Sequence, residues 1–143
     1  MRELKFRAWN TEEKRMSQPF QFKDLSGFDD GAVYLGYPMI GSSLDDDCWE
    51  FIQYTGLKDR NGKEIYEGDI IRNHWDNCHG EFIGNDWIVK WGGHETSADY
   101  YACSVTGFYG ESIREKSEPE HHLYALNGEL EVIGNIYENQ ELL

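Results

Sequence analysis

The sequence predicts a mainly β protein, an antiparallel barrel or sandwich, and three observations point that way. Short apolar runs recur at close spacing, and glycine marks most of the breaks between them. Few windows carry the 3.6-residue periodicity of an amphipathic helix. Aromatic residues make up 15% of the 143 positions, which argues against disorder, because disordered chains lack the apolar surface that offsets ordering entropy. A chain of this length can bury a proper core without metals or disulfides. It reads as an N-terminal strand and loop region, 1–52, followed by a barrel domain with a C-terminal tail, 53–143.

The elements follow in order. Leu4, Phe6 and Ala8 alternate with Lys5, Arg7 and Trp9, a half-buried strand pattern. Asn10–Glu13 is a turn, with Met16 the next apolar anchor. Residues 17–47 hold Pro19, Gly27, Gly31, Gly36, Pro38 and Gly41 around pieces such as Val33-Tyr34-Leu35. Loops with one or two short strands are expected there, and a mobile stretch near Ser42–Asp47. A helix is disfavoured, since Asp24–Gly31 is rich in glycine and acid. Cys48–Thr55 is aromatic and β-branched, hence a strand.

Tight turns are expected at Gly56, at Asn61-Gly62 and at Glu67-Gly68-Asp69, with Ile65-Tyr66 and Ile70-Ile71 flanking them. Gly80–Ile83 and Trp87–Trp91 read as a strand pair around Asn85-Asp86, closed by Gly92-Gly93. Tyr100–Val105 and Phe108–Ile113 follow, separated by Thr106-Gly107. Residues 114–121 are charged and contain Pro119, so they form a loop. His122–Leu126 is short and extended, Asn127-Gly128 turns, Leu130–Tyr137 is the last strand, and the tail from Glu138 can form one helical turn.

Charge narrows the function classes. The formal net charge is -14, with 6 basic and 10 acidic residues in 1–52 and 7 basic and 17 acidic in 53–143. Phosphate affinity comes from clustered cations, so direct nucleic-acid binding is disfavoured, as is an anionic membrane surface. Only a patch from Arg2, Lys5, Arg7, Lys14 and Arg15 could reverse that. The three cysteines (Cys48, Cys78, Cys103) are odd in number and form no Cys-x-x-Cys, which reads as free thiols in a reducing compartment. With no apolar leader and no apolar run near the roughly 20 residues of a span, the expected location is the cytoplasm.

Three stretches carry a family resemblance: Gln53-Tyr54-Thr55-Gly56-Leu57-Lys58-Asp59-Arg60-Asn61-Gly62-Lys63-Glu64-Ile65-Tyr66-Glu67-Gly68-Asp69-Ile70-Ile71, the closing Val132-Ile133-Gly134-Asn135-Ile136-Tyr137-Glu138-Asn139, and the opening Lys5-Phe6-Arg7-Ala8-Trp9. They resemble the YopX family of phage and prophage proteins; residues 17–47 and 73–130 match loosely. The resemblance implies a C-terminal SH3-like barrel beginning near Glu64 and a place in a phage or prophage, hence in a bacterial host cell. It implies no activity, because the family lends no catalytic or binding residues. Gly56, Asn61, Gly62, Gly68 and Asp69 are therefore read as a structural turn motif, which needs no ligand.

The reactive constellations have plain readings. His74, Asp76, Cys78 and His79, even with His94, Cys103, His121 and His122, show no standard zinc spacing and suit a polar loop. Asp59-Arg60-Asn61-Gly62 puts its glycine at the fourth position, where a calcium loop wants it at the sixth. Cys103 sits in an apolar strand pattern, as an inert core thiol does. No nucleophile elbow or phosphate loop occurs. Carboxylates at 45–47, and Glu64, Glu67 and Asp69, would need desolvation to do acid–base work. No cofactor, metal or enzyme activity is therefore expected.

Of the aromatics Trp87, Trp91, Tyr100, Tyr101, Phe108 and Tyr109, most must fill the core. Trp87 is expected inside, and one of Tyr100 and Tyr101 partly outside. The candidate binding surface is Tyr100, Tyr101, Glu64 and Glu67. The expectation is a non-enzymatic phage accessory protein that binds a host protein or itself as a homo-oligomer. The alternative is an acidic DNA mimic that blocks a host nuclease or DNA-binding protein, motivated by the excess acid of 53–143.

Overall fold

The computed structural model describes residues 4–27, 33–35, 47–77, 80–98, 101–114, 121–122 and 129–143, with side chains described except at 26–27, 33–35, 75–77, 81–82, 94–98, 101–105 and 121–122. Among these residues the chain is mostly antiparallel β, with two single-turn 3-10 segments and no α-helix. It divides into two compact units, Met1–Gly56 and Leu57–Leu143.

In the first unit, β1 (Phe6–Asn10) lies between β2 (Arg15–Met16) and β5 (Trp49–Lys58), pairing Trp9 with Met16 and Ala8 with Phe51. The β1–β2 turn is set by Asn10, whose Oδ1 accepts the N–H of Glu12 at 3.0 Å and of Glu13 at 2.7 Å, an Asx turn. Ala8, Phe20 and Trp49 form the core, with Phe6, Leu25 and Cys48 packed on it. Phe6 and Phe20 exchange backbone hydrogen bonds, both 2.8 Å. The half-buried pattern expected of this strand holds only in part. Ala8 is buried and Phe6 half-buried, but Leu4 is exposed, and Trp9 on the opposite face is buried too. Residues 17–47 supply a 3-10 turn (Phe22–Asp24) and the pair β3 (Leu25–Gly27) and β4 (Val33–Leu35). Residues 42–46 lie outside the described residues.

The end of β5, from Leu57, belongs to the second unit and leads into β6 (Glu64–Tyr66). The second unit's main sheet has the order β10-β9-β8-β7-β11, from β7 (Asp69–Asn77), β8 (Gly80–Ala98), β9 (Tyr101–Ser112), β10 (His121–His122) and β11 (Glu129–Asn135). Val132, Ile71 and Trp87 stand opposite one another on three adjacent strands. With Ile65, Val89 and Phe108 they make the core, and Leu57 and Leu130 pack on it. One residue further along, Glu131, Arg72 and Asp86 also stand opposite one another. Because side chains alternate, that charged row faces the other way.

Three expected breaks are absent. Asn85-Asp86, Gly92-Gly93 and Thr106-Gly107 all lie inside strands, so β8 runs 19 residues and β9 runs 12. Gly92 pairs with Gly107 and Gly93 with Thr106, so the local turn signals face each other across one hairpin. Near Asn85 the register passes from Arg72↔Asp86 to His74↔Ile83, which leaves one extra residue on β8. The polar dipeptide thus marks a β-bulge rather than a reversal.

The glycines of the expected turn motif fall in two settings. Gly62 (φ 82°) and Gly68 (φ 78°) lie in turns, whereas Gly56 (φ 89°) lies inside β5. A Cβ on Gly68 would come 2.8 Å from Tyr137 Cε2, so that turn needs both the backbone freedom and the space. Asp69 Oδ2 accepts the Tyr66 N–H at 2.8 Å and closes the same turn. The tail ends in the expected helical turn, a 3-10 segment at Gln140–Leu142. No helix among the described residues is long and apolar enough to cross a membrane.

Candidate protein-binding face

Trp87, Val89 and Trp91 follow one another on the core face of β8. The first two are buried, but Trp91 is 47% exposed. Its cross-strand partner is Phe108, 4% exposed, with ring centroids 4.7 Å apart at 65°. This edge-to-face pair carries the apolar core out to the surface.

The turn after β6 brings a carboxylate to the same place. Gly68 N–H bonds to the Val89 carbonyl at 2.7 Å, and Ile136 N–H bonds to the Gly68 carbonyl at 2.9 Å. Those bonds seat the turn against β8, and the Glu67 carboxylate accepts the backbone N–H of Trp91. Burial pushes the Glu67 carboxyl above its ordinary value, and the Trp91 N–H offsets part of that rise. A carboxylate held this way is costly to fold while charged, which suits a group kept for something other than stability.

The other expected surface residues fare differently. Glu64 Oε2 accepts the hydroxyl of the fully buried Tyr66 at 2.7 Å, so Glu64 anchors a core residue. Tyr100 lies outside the described residues; Tyr101 opens β9 opposite Ala98, and its side chain lies outside them. The structure therefore brings Glu67 to the backbone of Trp91, whose indole packs on Phe108. The signal for Trp91 was its alternation with Trp87 and Val89, but Gly92-Gly93 suggested that the strand ended there.

The charged row on the opposite face is internally paired. Arg72 grips Asp86 with two bonds, Nε to Oδ1 at 2.7 Å and Nη2 to Oδ2 at 2.9 Å. Arg114 Nη2 lies 3.9 Å from Asp86 Oδ2, and His74 Nε2 lies 2.7 Å from Glu131 Oε2. Arg60 pairs with Glu129 at 3.2 Å, and Lys90 pairs with Glu111. Among the described residues no group of three His, Cys, Asp or Glu side chains is placed to hold a metal ion. Cys78 and His79 lie outside them, as do the side chains of Asp76, His94, Cys103, His121 and His122.

A family model described as YopX protein matches residues 5–143. The crystal structure of protein EF1440 from Enterococcus faecalis is similar over 98% of this chain and 97% of that one, with 30% identity and a TM-score of 0.53. No curated protein matches the chain.

Proposed function

The chain belongs to the YopX protein family, and on that premise we propose that it is a non-enzymatic phage accessory protein that acts in the bacterial cytoplasm by binding another protein or a second copy of itself. The observation that carries this reading is the exposed indole of Trp91, set on the buried Phe108, with the half-buried Glu67 carboxylate on the backbone N–H of the same residue. Rigid aromatics on a sheet are frequent anchors of protein interfaces. The second unit's five antiparallel strands support its reading as an SH3-like module, a fold whose exposed aromatics receive peptides.

The acidic-mimic reading has less support. Its carboxylates would have to be free to meet a cationic cleft, whereas Asp86, Glu111 and Glu129 are each matched to a cation of this chain and Glu131 lies against His74. The test is a tagged pull-down from host lysate at low and high salt, with light scattering on the eluate. Wild type is expected to retain a protein partner, or to elute as a defined oligomer, and Trp91→Ala to lose it. Equal retention by the variant would sink the proposal. A nuclease released by salt would favour mimicry instead.

A further inference from the structure

We infer that the Trp91 face takes a cationic side chain, an arginine or lysine of the partner protein, seated on the indole with the Glu67 carboxylate as its counter-charge. This rests on the protein-binding reading above and names what that face receives.

The argument starts from what the two groups can do together. An indole face attracts a cation through its ring quadrupole, most strongly where water is partly excluded. A carboxylate beside it supplies a charge-assisted acceptor, and arginine serves both because its guanidinium stacks and forks at once. The Gly68–Val89 bond holds the Glu67 turn against β8, and the Glu67 carboxylate accepts the backbone N–H of Trp91. Lys90 does not fill the role from within the chain. It alternates to the other face of β8 and is paired with Glu111.

Charge complementarity selects the class of partner. The chain carries -14 overall, with 17 acidic against 7 basic residues in 53–143. A cationic segment is therefore drawn in, and an acidic one repelled. The raised Glu67 carboxyl supports the same conclusion. A half-buried carboxylate gains more from an incoming cation than a solvated one does, because the partner replaces water it has already lost.

The probe is a short blocked peptide, glycine-arginine-glycine, titrated into the full chain and read on the Trp91 indole N–H resonance. That resonance is identified by its loss in Trp91→Phe. The arginine peptide should shift it saturably, high salt should weaken the response, and the citrulline counterpart should leave it unmoved. Glu67→Gln keeps an acceptor for the Trp91 N–H but removes the charge, and should weaken binding about tenfold. An equal response to citrulline, or to Glu67→Gln, would overturn the inference. The pull-down separates the two levels. A partner lost in Trp91→Ala but kept in Glu67→Gln upholds the face and overturns the cationic occupant. A partner kept in both variants overturns the face as well.

Discussion

Asp59 Oδ2 accepts the backbone N–H of Val132 at 3.1 Å, from 73 residues further along the chain. Its Oδ1 accepts the N–H groups of Asn61 and Lys63, both at 2.8 Å. One buried carboxylate thus closes the local turn and joins it to β11. Asp59→Ala should leave three donors without their acceptor. Urea unfolding should show a loss of about 2–3 kcal/mol, at the upper end for a buried charged acceptor.

The same group predicts a pH dependence. Burial pushes the Asp59 carboxyl up, but the N–H groups of Val132, Lys63 and Asn61 and the Lys63 charge outweigh it and leave it below its ordinary value. A lowered folded value means that the stabilisation is present above the unfolded carboxyl's titration, about pH 4, and is lost as pH falls through the folded value. Acid unfolding of wild type and Asp59→Asn should therefore converge at the low-pH end. Parallel curves throughout would contradict the assignment.

Gly68→Ala should cost more than Gly62→Ala, although both positions have nearly the same positive φ. At Gly62 an added Cβ meets nothing within 4 Å, so only backbone strain applies, about 1–2 kcal/mol. At Gly68 the same strain is joined by the clash with Tyr137, and the loss should exceed that of Gly62→Ala by about 1 kcal/mol or more. Thermal unfolding of the two variants side by side tests the order.

The turns were legible because their causes are local. Asn61-Gly62 and Glu67-Gly68-Asp69 each carry the backbone freedom and the side-chain acceptor that a reversal needs within a few residues. Trp87 was legible as core because a small barrel fills its interior with most of its aromatics. The length of β8 and β9 was not, because Gly92 tolerates its strand position by facing Gly107, a pairing between residues 15 apart in sequence. Nor was the role of Asp59 as a clamp on Val132. The face was half legible: Glu67 was singled out, but only the seating of its turn against β8 joins it to Trp91.

Removing Arg72 tests the paired face. Asp86 is buried and gripped by two of the guanidinium nitrogens, Nε and Nη2. Arg72→Met should leave that carboxylate without its main partner and cost about 2–3 kcal/mol, less than a fully buried pair because Arg72 is partly exposed. Asp86→Leu in the same chain should recover much of the loss, and the double-mutant cycle should give a coupling of about 1–3 kcal/mol. Additive effects would show that the pair contributes geometry but little energy.

Glu67 should behave in the opposite sense to Asp59. Its folded carboxyl titrates above the ordinary value, so folding favours the protonated form. The destabilisation is therefore present above that raised value and is relieved as pH falls through it. Glu67→Gln should be more stable than wild type near neutral pH. The gain should not exceed about 1 kcal/mol, because the group is only half-buried and solvent screens it. The difference should shrink on acidification and vanish below the ordinary carboxyl value, where Glu67 is protonated in the folded and the unfolded chain alike. A stabilising change that weakens binding of the arginine peptide would mark Glu67 as a residue held against stability for its function. A destabilising Glu67→Gln would instead assign the carboxylate to the support of β8.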